Sequence, residues 1–186
     1  YNPQGDTTWV RTPGGVMRRI GFQSGFHLSP EKRHDGGIDF LTESGYIAGW
    51  SSTYQPTANG RTAWVTHVNG PNRRVGFYDV IHASTNSTGR SYIRDINEDG
   101  VSGGESFQFD EMLTGPGGGY TAWLATPLGN TVRVGLYDAE HTFNDDSPLG
   151  HQYNFVLLLN ENNSAIGYTE RYDPVSNSNT TGAGGI

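Results

Sequence analysis

The chain has 186 residues, a formal net charge of −7 and no cysteine, with hydrophobic residues at 33% and glycine at 27 positions. Such a chain buries a core cut by many turns, and it has no basic patch for nucleic acid and no thiol for disulfide or redox chemistry. No run approaches the roughly 18 apolar residues of a membrane span, and no segment sustains the 3.6-residue stripe of a long helix.

The sequence starts at Tyr1 without Met or a signal peptide, as expected of a processed product or a fragment. In chain order, a first strand is expected around Trp9 and a second around Arg19, with Gly-rich turn residues between them. GIDFLT (37–42) and WSSTY (50–54) read as the third and fourth. The same order follows twice more: TAWV (62–65), RVGFYD (74–79), SYIRDI (91–96) and SFQF (106–109), then TAWL (121–124), RVGLYD (133–138), YNFVLLL (153–159) and YTERY (168–172). Beyond Pro174, the Ser, Asn, Thr and Gly residues of 175–186 read as a flexible tail.

The recurrence is visible residue by residue. Residues 5–27, 60–82 and 119–141 align without a gap. Six residues separate Trp9, Trp64 and Trp123 from Gly15, Gly70 and Gly129. Six more lead to Gly21, Gly76 and Gly135, and a further six to His27, His82 and His141. Residues 42–54, 97–109 and 160–172 also align, each with Glu at its second position (Glu43, Glu98, Glu161) and Gly six later (Gly49, Gly104, Gly167).

The fold expected is all-β: three tandem four-stranded antiparallel repeats with pseudo-threefold symmetry in one domain over 1–174, the copies spanning about 5–58, 60–115 and 119–174. A β-trefoil-like closure is the first expectation; propeller blades closing by oligomerisation and a β-prism are the alternatives.

A hairpin centred on Gly15 would set Trp9 opposite Gly21, with Arg19 beside it. Centres at Gly70 and Gly129 would do the same for Trp64 with Gly76 and Arg74, and for Trp123 with Gly135 and Arg133. An indole covering a glycine, with a guanidinium stacked on the ring, needs no ligand to explain it. In the second halves, the same numbering sets Glu98 opposite Gly104.

The histidines lie just past the second strand, where loops gather. Tyr78, Asp79 and His82 match Tyr137, Asp138 and His141, while Gln23 and Ser24 replace the Tyr and Asp ahead of His27. Three readings are open: structural histidines, a repeated small-ligand pocket, or three imidazoles converging on a metal. Asp95, Asn97 and Asp99 run into Gly100 like the start of a calcium loop, with the Val101 carbonyl and Glu105 as further donors. Position twelve, where a calcium hand needs a bidentate carboxylate, is Ser106, so calcium is a candidate cofactor held in a strand-flanked loop.

No nucleophile elbow, phosphate-cradling glycine loop or zinc-binding helix motif occurs, so no enzyme is expected. Loops rich in Asn, Asp, Gly, Ser and Tyr, with Trp50 outside the repeated Trp position, suit hydroxyl-rich ligands. The leading expectation is an extracellular or cell-surface lectin-like module. Its shallow sites would engage glycans or another polyvalent surface through His27, Trp50, Tyr78, Asp79, His82, Tyr137, Asp138 and His141. The alternative is a structural or adhesive repeat of a surface protein or filament, with a homo-oligomer as partner.

Overall fold

The computed structural model describes residues 5–54, 60–83, 89–109, 118–143, 150–173 and 178–179. The protein is all-β, and one of its sheets curls into a half-barrel. The strands are β1 (Trp9–Arg11), β2 (Met17–Arg19), β3 (Gly36–Leu41), β4 (Tyr46–Thr53), β5 (Gly60–His67), β6 (Arg73–Val75) and β7 (Ser91–Ile96). They continue with β8 (Ser102–Phe107), β9 (Gly119–Ala125), β10 (Thr131–Arg133), β11 (Gln152–Leu159), β12 (Ala165–Thr169), β13 (Tyr172–Asp173) and β14 (Ser178–Asn179). Gly25–His27 and Ala139–His141 form single 3₁₀ turns. No helix of the described residues is long and apolar enough to cross a membrane. The limits proposed for the copies near 58, 115 and 174, and most of the tail, lie outside the described residues.

The sheets ignore the sequence boundaries. β1 and β2 form a lone hairpin; β3-β4-β5-β6 make one sheet; β12-β11-β9-β8-β7 make another, with β10 on β9; β13 and β14 pair with each other. Thus β4 joins β5 over eight residue pairs, Tyr46↔His67 to Thr53↔Gly60, and β8 joins β9 over six, Ser102↔Ala125 to Phe107↔Tyr120. Parallel contacts tie the start of a first strand to the start of a third strand at Gly5↔His34, Arg61↔Arg90 and Gly119↔Gln152.

The Trp–Gly pairing differs from expectation. Trp9, Trp64 and Trp123 face Arg19, Arg74 and Arg133 across their hairpins. The reason is the turn: Gly15, Gly70 and Gly129 donate their N–H to Thr12, His67 and Thr126, so each is the last residue of a four-residue turn and not its centre. That geometry moves the partner of each Trp two residues back along the returning strand while keeping the same face. The indoles instead meet the glycines of the fourth strands, Gly49↔Trp64 and Gly104↔Trp123. A Cβ on Gly49 would lie 2.7 Å from Trp64, and one on Gly104 2.7 Å from Trp123. Glu98 sits in the tight turn after β7, and the residue opposite Gly104 in that hairpin is Ile93.

Each third strand is bulged at one place, between Ile38 and Phe40, Ile93 and Asp95, and Val156 and Leu158. The glycine opposite the bulge (49, 104 or 167) packs against a cross-strand carbonyl, where a Cβ would fall 2.2, 1.9 or 2.1 Å from oxygen. A side chain there would need the bulge to open. The second strands end earlier than expected, because Gly21, Gly76 and Gly135 take φ of +78°, +92° and +111°. That left-handed turn sends the next residue's N–H toward the neighbouring hairpin.

Trp64 and Trp123 are fully buried, as are Ala63, Val65, Val75 and Ala48 around them. One apolar cluster joins Ala48, Ala63, Val65 and Val75 to Ile93, Ile96, Trp123 and Ala125, and a second joins Ile20, Ile47 and Trp64. Strands β5 and β8 carry buried residues on both faces. Truncating such an indole costs about 3–5 kcal/mol.

Candidate functional site

The residues expected at a ligand site fall mostly at junctions between one hairpin system and the next. His27 stacks on Phe22 with ring centroids 5.0 Å apart, and its Nε2 lies 2.9 Å from Thr62 Oγ1. His82 stacks on Phe77 at 5.1 Å, its Nε2 lies 2.8 Å from Thr121 Oγ1, and its Nδ1 is 2.7 Å from Asp79 Oδ1. Burial lowers the pKa of both imidazoles, although the hydrogen bond to Asp79 opposes it for His82. A neutral His82 donates from Nδ1 to Asp79 and accepts at Nε2 from the Thr121 hydroxyl, which in turn accepts from Gln108 Nε2 at 2.8 Å. Burial pushes the Asp79 carboxyl up, but the His82 ring and the Ile81 and His82 backbone N–H groups together hold it below its ordinary value.

The phenols are structural in the same sense. Tyr78 Oη accepts from Ala63 N at 2.8 Å, and burial pushes its pKa up to about 12. Tyr137 Oη donates to the Val134 carbonyl at 2.6 Å. Arg74 and Arg133 stack on Tyr78 and Tyr137, 4.6 and 3.4 Å from the ring centroids, and not on the indoles as expected. In the third set, His141 Nδ1 lies 2.5 Å from Asp138 Oδ1, and Asp138 is exposed. The hydrogen bond from His141 holds the Asp138 carboxyl below its ordinary value.

Trp50 is half-buried, its ring covered by the Arg61 guanidinium at 4.4 Å. Arg61 also stacks on Tyr92 at 4.7 Å and pairs with Asp39 Oδ2 at 3.3 Å. Asp39, Phe40, Arg61, Tyr92, Ile93 and Arg94 line a cleft of ≈ 450 Å³. Burial lifts the Asp39 carboxyl above its ordinary value against the pull of Arg61.

Asp95 and Asn97 of the oxygen-rich loop are bonded to that loop and to the segment around 159–163. Asp95 Oδ2 accepts from Leu159 N at 2.7 Å, and Asn97 Oδ1 accepts from Val101 N at 3.0 Å. The Asn97 amide donates to Asn163 Oδ1 and to the Asn160 carbonyl. Glu105 is fully buried and held by Arg94, while Asp99 is exposed. Burial raises the Glu105 carboxyl, with Arg94 opposing it. Among the described residues no group of three or more His, Asp or Glu side chains could hold an ion.

Other side chains with a repeated role carry weaker sequence signals. Phe22 N donates to Ser51 Oγ at 2.9 Å, Phe77 N to Ser106 Oγ at 2.8 Å, and Leu136 N to Asn154 Oδ1 at 3.1 Å and Thr169 Oγ1 at 3.3 Å. Glu98 receives Glu43 N at 3.1 Å and Ser44 N at 2.7 Å, and Glu161 receives Glu98 N at 2.9 Å. Those backbone donors lower the Glu98 carboxyl pKa. The Thr two residues before each Trp and the Glu of each tight turn were visible in the alignment, but their partners lie about 40–60 residues away.

No protein-family model matches the chain, and no curated protein and no solved structure was found similar to it.

Proposed function

We propose that the chain is a non-catalytic scaffold: three copies of one β unit joined in an open series, serving as a structural or adhesive repeat. The supporting observation is where the recurring side chains go. His27 reaches Thr62 and His82 reaches Thr121; Trp64 covers Gly49 and Trp123 covers Gly104; Glu98 caps the turn at Glu43 and Glu161 the turn at Glu98. Each bond runs from one aligned segment to the next, so residues repeated in sequence are couplings between neighbours. An array of this type adds stability through nearest-neighbour interfaces and needs no ligand. An open series is favoured over a closed trefoil because Trp9 is 59% exposed while Trp64 and Trp123 are buried. A saccharide screen that finds no binding, with and without calcium, is the expected result. Saturable binding abolished by changing Tyr137, Asp138 or His141 would sink this reading.

A second reading, the glycan-binding module, draws on the cleft between Asp39 and Arg94. Its aromatic walls and paired charges suit a hydroxyl-rich guest. Displacement of Arg61 from the Trp50 ring would then accompany binding, and a Trp emission change on titration with saccharide would report it.

A further inference from the structure

We propose that the exposed edge of β12 receives β1 of a second copy of this chain, head to tail, in the register by which β4 receives β5 and β8 receives β9. The inference rests on the scaffold reading above, in which like segments meet through like contacts. Within the chain the joint is made twice, with Gly49 opposite Trp64, Ala48 opposite Val65 and Ile47 opposite Thr66, then Gly104 opposite Trp123, Gly103 opposite Leu124 and Ser102 opposite Ala125. A third donor edge and a third acceptor edge are left over. β12 pairs with β11 on one side only, and Ala165, Ile166, Gly167 and Tyr168 are exposed. β1 pairs with β2 on one side only, and Trp9 and Arg11 are exposed. Among the described residues both other edges are unpaired, the condition in which a strand recruits another chain.

Carried over by alignment, the register is Gly167 opposite Trp9, Ile166 opposite Val10 and Ala165 opposite Arg11. The neighbouring contacts agree. His141 has Asp138 on Nδ1, as His82 has Asp79, and the Thr aligned with Thr62 and Thr121 is the exposed Thr7. Glu43, exposed, is the counterpart of the two glutamates that cap a preceding turn, and the N–H of Glu161 is the counterpart donor. Charge agrees too. Arg11 and Arg19 are exposed on the β1–β2 hairpin, and Asp138, Glu140 and Glu161 are exposed on the segments around β12, Glu140 being paired with Arg171. Met17 and Arg11 depart from the pattern: Met17 stands where Asn72 and Thr131 accept the N–H of Gly21 and Gly76, and Arg11 where Thr66 and Ala125 are buried. A head-to-tail joint of this kind builds a ring where the rotation closes and a filament where it does not.

The absence of cysteine makes the register directly testable. Arg11→Cys and Ala165→Cys are separate, surface-exposed single variants that fall directly opposite in the proposed joint, within reach of a disulfide. Mixed and oxidised, they should give a heterodimer. Arg11→Cys mixed with Tyr168→Cys, out of register, should not. The unmodified chain should sediment with a mass that rises above 20.3 kDa with concentration, its Trp emission shifting to the blue as Trp9 is covered. Equal crosslinking of both pairs, crosslinks chiefly between like variants, or a mass fixed at one chain would overturn the proposal. Those failures leave the scaffold reading standing, because that reading fails through saccharide binding.

Discussion

His82 illustrates how a single side chain is defined by its surroundings. It is 5% exposed, bonded at both ring nitrogens and stacked on Phe77. Thr121→Val would remove the hydroxyl shared by His82 and Gln108 and leave two buried polar atoms unpaired. The expected loss is about 1–3 kcal/mol in urea denaturation, and an unchanged midpoint would mean that the hydroxyl does not couple the two segments. The pH dependence has a definite sign. Burial holds His27 and His82 below the ordinary value of 6.5, so just below that pH the unfolded chain binds more protons than the folded one. The stability these rings contribute is fully present above pH 6.5 and declines as the pH falls from there toward their folded values. Thermal melts from pH 7.5 to 5 should show the decline, and replacing both histidines by Gln should flatten it.

At the scale of the element, three hairpins each carry one bulge in their first strand. Ile38, Ile93 and Val156 precede the bulge, and Gly49, Gly104 and Gly167 lie opposite them. Gly104→Ala would place a methyl 1.9 Å from the Tyr92 carbonyl oxygen and 2.7 Å from Trp123. The expected cost is about 3 kcal/mol or more, at the upper end for overpacking. Gly14→Ala serves as the contrast: its Cβ would meet only Thr12 Oγ1, at 3.9 Å, so the change should be neutral or stabilising by about 0.4–1 kcal/mol. Equal denaturation midpoints for the two variants would remove the argument from close backbone approach.

Across the whole molecule, aligned positions differ in burial. Trp64 and Trp123 are fully enclosed, while Trp9, Leu136, Ile166 and Tyr168 are exposed. Local opening follows packing, so amides of β5, β8 and β9 should exchange slowest and those of β1, β2 and β12 fastest. Uniform protection across all segments would contradict an open series. At high concentration, protection of β1 and β12 should rise together, because the proposed joint covers both. Raising salt should reverse that gain, since an Arg-bearing edge meets an acidic one.

The all-β character and the order of most short strands were legible from the residues, because period-two patterning is local, whereas the centres of the Trp-bearing hairpins and the ends of the second strands were not. The alignment singled out Trp64, Gly104, His82 and Glu98, since spacing and residue type agree three times. What these residues touch was not legible. Trp64 meets Gly49 and not Gly76, because the turn before Gly70 places that glycine at its end, a one-residue difference in turn geometry that composition does not encode. The partners of His82, Glu98 and Asn97 are Thr121, Ser44 and Asn163, each about 40–65 residues away, so only the stacking of hairpins brings them together. Residue pattern alone therefore determined that the chain folds into strands with recurring key positions. Tertiary structure decided that those positions join neighbouring segments, because strand register and long-range pairing depend on the global packing of apolar faces.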